Sequence, residues 1–298
     1  MKKTGKSGKR HNKLLAPLLA LIVLLAACSS QGGDNAPDSR QKEAVQTEET
    51  SAETAATDEI RMDGQLTGDM LMQPSGDTEG EAADPDGYSQ EPLEVHYIDV
   101  GQGSATLIKS GDHAMLIDAG DSDQGTKLQL YLTKQGVEGL DYLVLTHPDA
   151  DHIGGAPVII TKFGIGQLFL SNYEKDNKTT QKVRDAMQYK GLTESDYQAG
   201  DTFALGNASF TILGPAKEYA DSNNASIVIM VQNGNNRFLF TGDCEAEAEA
   251  DLIASGADLS ADVYLAGHHG SDTASSQAFM DAVSPSYAVI SCGDGNSY

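Results

Sequence analysis

Four side chains able to bind a metal ion fall within six positions of this chain. They are His147, Asp149, Asp151 and His152, in the run Thr146-His147-Pro148-Asp149-Ala150-Asp151-His152. Chelation needs several donors aimed at one point, and a tight turn can aim them. Imidazole and carboxylate together suit Zn²⁺, Mn²⁺ or Fe²⁺. A lone His or Asp is ordinary loop polarity, but His-x-Asp-x-Asp-His between an apolar run and a Gly-Gly pair is not. The preceding Tyr142-Leu143-Val144-Leu145 reads as a short buried strand, and Ile153-Gly154-Gly155 opens a helix.

Other polar groups stand at the ends of apolar runs. Phe238-Leu239-Phe240-Thr241-Gly242-Asp243 is a strand ending in Gly-Asp, and Asp243 also suits the N-cap of the acidic, Ala-rich helix expected over 245–255. Leu265-Ala266-Gly267-His268-His269-Gly270-Ser271 is a strand followed by a His pair. His113 to Asp118 is a strand running into Asp118-Ala119-Gly120. Before it, Val95 to Val100 and Ser104 to Ile108 flank the turn Gly101-Gln102-Gly103. Helices are expected over 124–135, 153–163, 179–189 (closed by Gly191) and 275–283. Further strands are expected at 167–170, 201–205, 208–213, 225–232, 236–241, 263–266 and 287–291. This alternation reads as layered α/β. His96 and His113 sit at strand positions and read as structural. Cys244 and Cys292 read as small buried apolar side chains.

The 298 residues carry 44 acids and 20 bases, a formal charge of −24. Residues 1–28 pair a basic start with an apolar segment, Leu14 to Ala27, too short for a stable membrane span. The segment ends in Leu25-Ala26-Ala27-Cys28, similar to the bacterial lipobox, which implies acylation of Cys28 and a lipid anchor on the extracellular face of the cell membrane. Loss of the leader, with its six bases and no acid, takes the charge from −24 to −30. Residues 29–90 are poor in aromatic and branched apolar side chains and read as a disordered acidic tether. Residues 91–298 then form the folded domain. It holds 29 acids against 11 bases, a balance that repels polyanions and counts against tight nucleic-acid binding.

The metal turn resembles the His-x-His-x-Asp-His signature of the metallo-β-lactamase superfamily, with Asp149 in place of the second His. From about Leu93 onward the chain is similar to the hydrolase domain of ComEC-type competence (DNA-uptake) proteins. Asp99-Val100-Gly101-Gln102-Gly103-Ser104, Gly242-Asp243 and His268-His269-Gly270-Ser271 match that pattern, as does Asn223-Asn224-Ala225-Ser226. The resemblance implies an αββα sandwich. It makes Asp243 the bridge between two metals, and Asp118 the hydrogen-bond partner of a ligating His. One of His268 and His269 would bind metal and the other would face substrate. One ion would see His147, Asp149 and Asp243. The other would see Asp151, His152, Asp243 and His268 or His269. Asn223, Ser226 and Ser271 would support this set. No His lies between His152 and His268, where three-His zinc sites draw a ligand. The oxygen-rich donor set therefore leans toward Mn²⁺, with Zn²⁺ as the second choice. The family continues past Asn296-Ser297-Tyr298 into a Gly-His-Pro segment that closes the site.

Two divalent ions can clamp a phosphoryl group and activate water. The expectation is therefore an exported phosphodiesterase in which Asp151 orients the attacking water and the free His assists the leaving group. By resemblance, single-stranded DNA is the leading substrate. The acidic balance favours a small or teichoic-acid-type phosphodiester as the alternative. A metal-binding surface lipoprotein without catalysis is the competing class, and lactone or β-lactam hydrolysis is disfavoured by Asp149 and the missing His. No protein partner is inferred.

Overall fold

The computed structural model describes residues 92–298. The leader, Cys28 and the acidic stretch that follows lie outside the described residues. The first sheet has the order β1 (Leu93–Tyr97), β2 (Thr106–Ser110), β3 (His113–Ile117), β4 (Gly139–Leu145) and β5 (Gly164–Leu170). β1 to β3 pair antiparallel, whereas β3, β4 and β5 run parallel. The second sheet comprises β6 (Thr202–Leu205), β7 (Ala208–Gly214), β8 (Val228–Asn233), β9 (Asn236–Phe240), β10 (Val263–Leu265) and β11 (Tyr287–Val289). β6 to β9 form an antiparallel meander, and β10 lies parallel between β9 and β11.

Strand side chains alternate between two layers, as a pleat of period two demands. Ile108, Met115, Val144 and Phe169 face the other sheet and meet Phe210, Ile229, Val231 and Phe240. Their neighbours Leu107, Leu116, Leu143 and Leu168 face outward, under α1 (Gly125–Lys134), α3 (Ala156–Lys162) and α4 (Lys178–Lys190). On the other side Val228, Met230, Leu239 and Tyr264 pack under α5 (Ala246–Ala254) and α6 (Gln277–Val283). Both sheets are thus covered on both faces, which is why their strands read as near-continuous apolar runs. The result is the expected αββα sandwich.

Several boundaries move for identifiable reasons. The helix expected over 153–163 is two pieces, α2 (Ala150–Ile153) and α3, so Asp151 and His152 sit within a single helical turn. The break falls at Gly154-Gly155, where a Cβ would overlap backbone atoms of neighbouring segments. α5 is capped by Glu245, so Asp243 is not its N-cap. α6 starts at Gln277 because the Ser276 hydroxyl accepts the Phe279 N–H. Gly191 ends α4 in the left-handed region, with φ 65°. The reading of Cys292 as buried is corrected: it follows β11 on the C-terminal segment, outside the three apolar layers, and is exposed, while Cys244 is buried.

Candidate metal centre

The chemistry-bearing residues follow the carboxyl ends of β3, β4, β9 and β10. All four strands take part in parallel pairing, the part of an α/β sheet where loops gather at one end. Asp118 follows β3, the His147–His152 turn follows β4, Asp243 follows β9, and His268-His269 follow β10. Three of these residues hold left-handed backbone: Asp118 (φ 60°), His268 (φ 49°) and His269 (φ 55°). Such conformations cost about 1–3 kcal/mol each for residues other than glycine and persist where surrounding structure enforces them. Gly242, at φ 54°, makes the equivalent bend before Asp243, and a Cβ there would press on Ser226.

Two groups of donor atoms converge. His147, His152 and Asp243 form one, and Asp151, His152 and His269 the other, with the atoms of each group within 4.8 Å of one another. Asp243 stands between them. Its Oδ1 lies 3.1 Å from His152 Nε2, and its Oδ2 lies 3.6 Å from His147 Nε2 and 3.5 Å from His269 Nε2. The Nε2 atoms of His152 and His269 face each other at 3.1 Å, and Asp151 Oδ2 lies 3.2 Å from His269 Nε2.

Hydrogen bonds to the Nδ1 atoms fix the ring orientations. His152 Nδ1 donates to Asp118 Oδ2 at 2.7 Å, and His269 Nδ1 donates to the Ser291 carbonyl at 2.8 Å. Both rings therefore turn Nε2 toward the cluster. His147 Nδ1 has only the Thr146 hydroxyl, at 3.2 Å, and that hydroxyl also contacts both Asp118 oxygens. His147 Nε2 is buried without a hydrogen-bond partner among the described residues. A buried nitrogen lone pair with no donor to accept from is unusual. Together with imidazoles and carboxylates at chelating distance, it fits a bound divalent cation.

The charges agree. Burial and the neighbouring His152 push His147 down to about 4. Burial also opposes charge on His152, but Asp243 and Asp118 outweigh it and hold that imidazole well above its ordinary value. His269 rises to about 9 against its own burial, through Asp151 and Asp243. Asp243 stays well below the usual carboxylate range despite burial, because His152 and His269 face it. Asp151 is likewise lowered to about 2.

The remaining expected site residues take different places. Of the His pair, His269 joins the donor groups and His268 does not. His268 Nδ1 lies 3.1 Å from both Thr273 Oγ1 and Glu245 Oε1, and the ring of Tyr298 lies 4.9 Å from its own. Asp149 belongs to neither group, and its Oδ1 is paired with Lys175 Nζ at 2.6 Å. Ser226 Oγ accepts the Asp243 N–H at 3.1 Å. Asn223 contacts Glu245 at 3.3 Å rather than a donor of the cluster. Ser271 bonds the Thr273 hydroxyl and, through its N–H, the His268 carbonyl.

Sequence reading passed over three contributors. Glu245 was visible only as the start of an acidic helix. Glu249 is a buried carboxylate on α5 that accepts the N–H groups of Ser275 and Ser276, anchoring the loop behind the His pair. Lys175 reaches the metal turn from the loop after β5, with no local signal.

A family model for the metallo-β-lactamase superfamily matches residues 98–294. The chain belongs to that superfamily, whose fold generally serves hydrolases. Among curated proteins it is 30% identical to ComE operon protein 3 of Bacillus subtilis, over 69% of this chain and 29% of that one. It is 31% identical to competence protein ComA of Neisseria gonorrhoeae, over 72% and 29%. With recombination protein 2 of Haemophilus influenzae the identity is 32%, over 70% and 25%. The chain thus spans under a third of the length of these relatives.

Proposed function

We propose that this chain is an exported, metal-dependent phosphodiesterase. The observation that carries the reading is Asp243, a buried carboxylate placed between two groups of metal donors. His147, His152 and Asp243 would hold one ion, and Asp151, His152 and His269 the other. Divalent ions at such positions polarise a phosphoryl oxygen and lower the pKa of a nearby water. The protein's share is positional. Asp118 and the Ser291 carbonyl aim His152 and His269. Asp151, partly exposed at the edge of the cluster, orients the attacking water. His268, outside the donor groups and braced by Glu245 and Thr273, protonates the leaving oxygen as the P–O bond breaks.

Two relatives named as a competence protein and a recombination protein support a polynucleotide substrate, with single-stranded DNA first. The 29 acids against 11 bases of residues 91–298 favour the second reading, a small or wall-linked phosphodiester, which meets less repulsion. The full chain, metal-stripped and reloaded with Mn²⁺ or Zn²⁺, decides between them when given single-stranded DNA and a bis-aryl phosphodiester in parallel. DNA cleavage supports the first reading, and turnover of the ester alone supports the second. No turnover with either metal sinks both and leaves a metal-binding surface protein. Export and lipid tethering through Cys28 complete the proposal. Incorporation of a tagged fatty acid by the native chain, and not by Cys28→Ser, is the expected result.

A further inference from the structure

Asp149 sits in the middle of the metal turn, yet its carboxylate joins neither donor group. It caps α2 by backbone position only, without a side-chain capping bond, so its carboxylate is not committed to the helix. Lys175 takes it, Nζ to Oδ1 at 2.6 Å. The pair is partly exposed, at 37% for Lys175 and 30% for Asp149. The Lys175 backbone is anchored as well. Its carbonyl accepts the Thr180 hydroxyl at 2.7 Å, and Thr180 belongs to the capping box that Asn177 builds at the start of α4. The ammonium is thus delivered to Asp149 from a fixed point.

We propose that Lys175 is a built-in competitor for metal at Asp149, making the two ion positions unequal. The proposal rests on the metal-centre reading above. An ion beside His147 that takes Asp149 Oδ1 must break the Lys175 pair, and one that takes the other oxygen shares the carboxylate with a second cation. Opposite charge is lost or like charge gained, and either weakens that ion. The carboxylate of the position formed by Asp151, His152 and His269 is instead paired with His269, itself a donor. The ions therefore load in order, with the His152–His269 position first and the His147–Asp149 position second. Lys175 sets the gap between them.

The test is a calorimetric titration of the metal-stripped full chain with Mn²⁺. Native protein, Lys175→Gln, Lys175→Arg, Asp149→Asn and the Lys175→Gln/Asp149→Asn double variant are compared, with circular dichroism confirming each fold. Removing the pair is expected to tighten the second ion about three- to tenfold, the range for a partly exposed charged hydrogen bond. The first ion should stay within about twofold. Lys175→Arg should keep the native gap. Asp149→Asn should weaken the second ion, and the double variant should lose the gain. A second-ion affinity that is unchanged or weaker in Lys175→Gln overturns the proposal, as does equal tightening of both ions, which would be a general charge effect. Failure of the native protein to bind any ion would refute the metal-centre reading itself, a result distinct from an unaltered gap between two bound ions.

Discussion

The two sides of the candidate metal centre share His152 and Asp243 but are otherwise built differently. On one side, the rings of His152 and His269 are each held from behind, by Asp118 at 2.7 Å and by the Ser291 carbonyl at 2.8 Å. On the other, His147 leans on a hydroxyl shared with Asp118, and Asp149 is tied to Lys175. The consequence is electrostatic as well as steric. The backed imidazoles are pulled toward the charged form, whereas His147 is pushed down to about 4 by burial and by the neighbouring His152. A ligand oriented from behind loses less freedom on binding an ion and is the stronger base. Identical residue types thus make one firm and one weak position.

The largest effect should come from the carboxylate that both sides share. Asp243→Ala removes the carboxylate that lies between His147, His152 and His269, so His147 and His152 lose the charge facing their Nε2 atoms while His269 keeps Asp151. Metal analysis should find both ions lost, and phosphodiester turnover should fall about 10³-fold or more, the scale for losing electrostatic stabilisation at a reacting phosphoryl group. Retention of one ion at native affinity would show that one side stands without Asp243.

Asp118→Asn reaches both sides, because His152 belongs to both donor groups and the Thr146 hydroxyl behind His147 contacts Asp118. Asn tolerates the left-handed backbone that Asp118 adopts at φ 60°, so the bend is kept and the charge behind His152 is lost. First-ion affinity is expected to drop about 10- to 100-fold, as for other residues that orient metal-binding histidines. The second ion should weaken as well, and native affinity for both ions would show that Asp118 does not orient His152 for metal. His147→Asn is the selective experiment. The second ion should weaken and turnover should fall about tenfold, with the first ion bound as in the native protein.

Much of the scaffold of this site was legible in the sequence, and the unread part has physical causes. Apolar runs ending in His, Asp or Gly-Asp announced strands delivering polar groups to one edge, because strands buried on both faces leave few other readings for Leu143-Val144-Leu145 or Phe238-Leu239-Phe240. The assignment of ligand and non-ligand within His268-His269 was not legible. It depends on two successive left-handed residues, φ 49° and 55°, which turn adjacent rings to different partners, and nothing in a His-His-Gly string requires them. Lys175 was illegible for another reason. It lies 26 positions from Asp149 and meets it only because β4 and β5 are parallel neighbours, so the loops beyond them converge. Glu245 had a clear local role as a helix start, and that concealed its contact with His268.

The smallest effect is the most selective, because it counts protons. Metal binds neutral imidazole, so a histidine that is charged before binding must release its proton. His269 has its pKa raised to about 9, and His152 is also raised, so at pH 7 the firm side starts charged. His147, lowered to about 4, is already neutral. Entry of the first ion should therefore release one to two protons, and its apparent affinity should climb as pH rises toward about 9. Entry of the second should release almost none from His147. Calorimetry in two buffers of different ionisation enthalpy gives both counts. The metal-free fold should respond in the opposite sense. A histidine raised in the folded state above its ordinary 6.5 contributes stability in full below that value and loses it as pH climbs through about 9. Alkaline conditions should thus lower the thermal midpoint of the stripped protein while strengthening its hold on the first ion. Equal proton release at both steps would mean that His147 is charged in the metal-free protein, and the two sides would then differ only in Asp149 and Lys175.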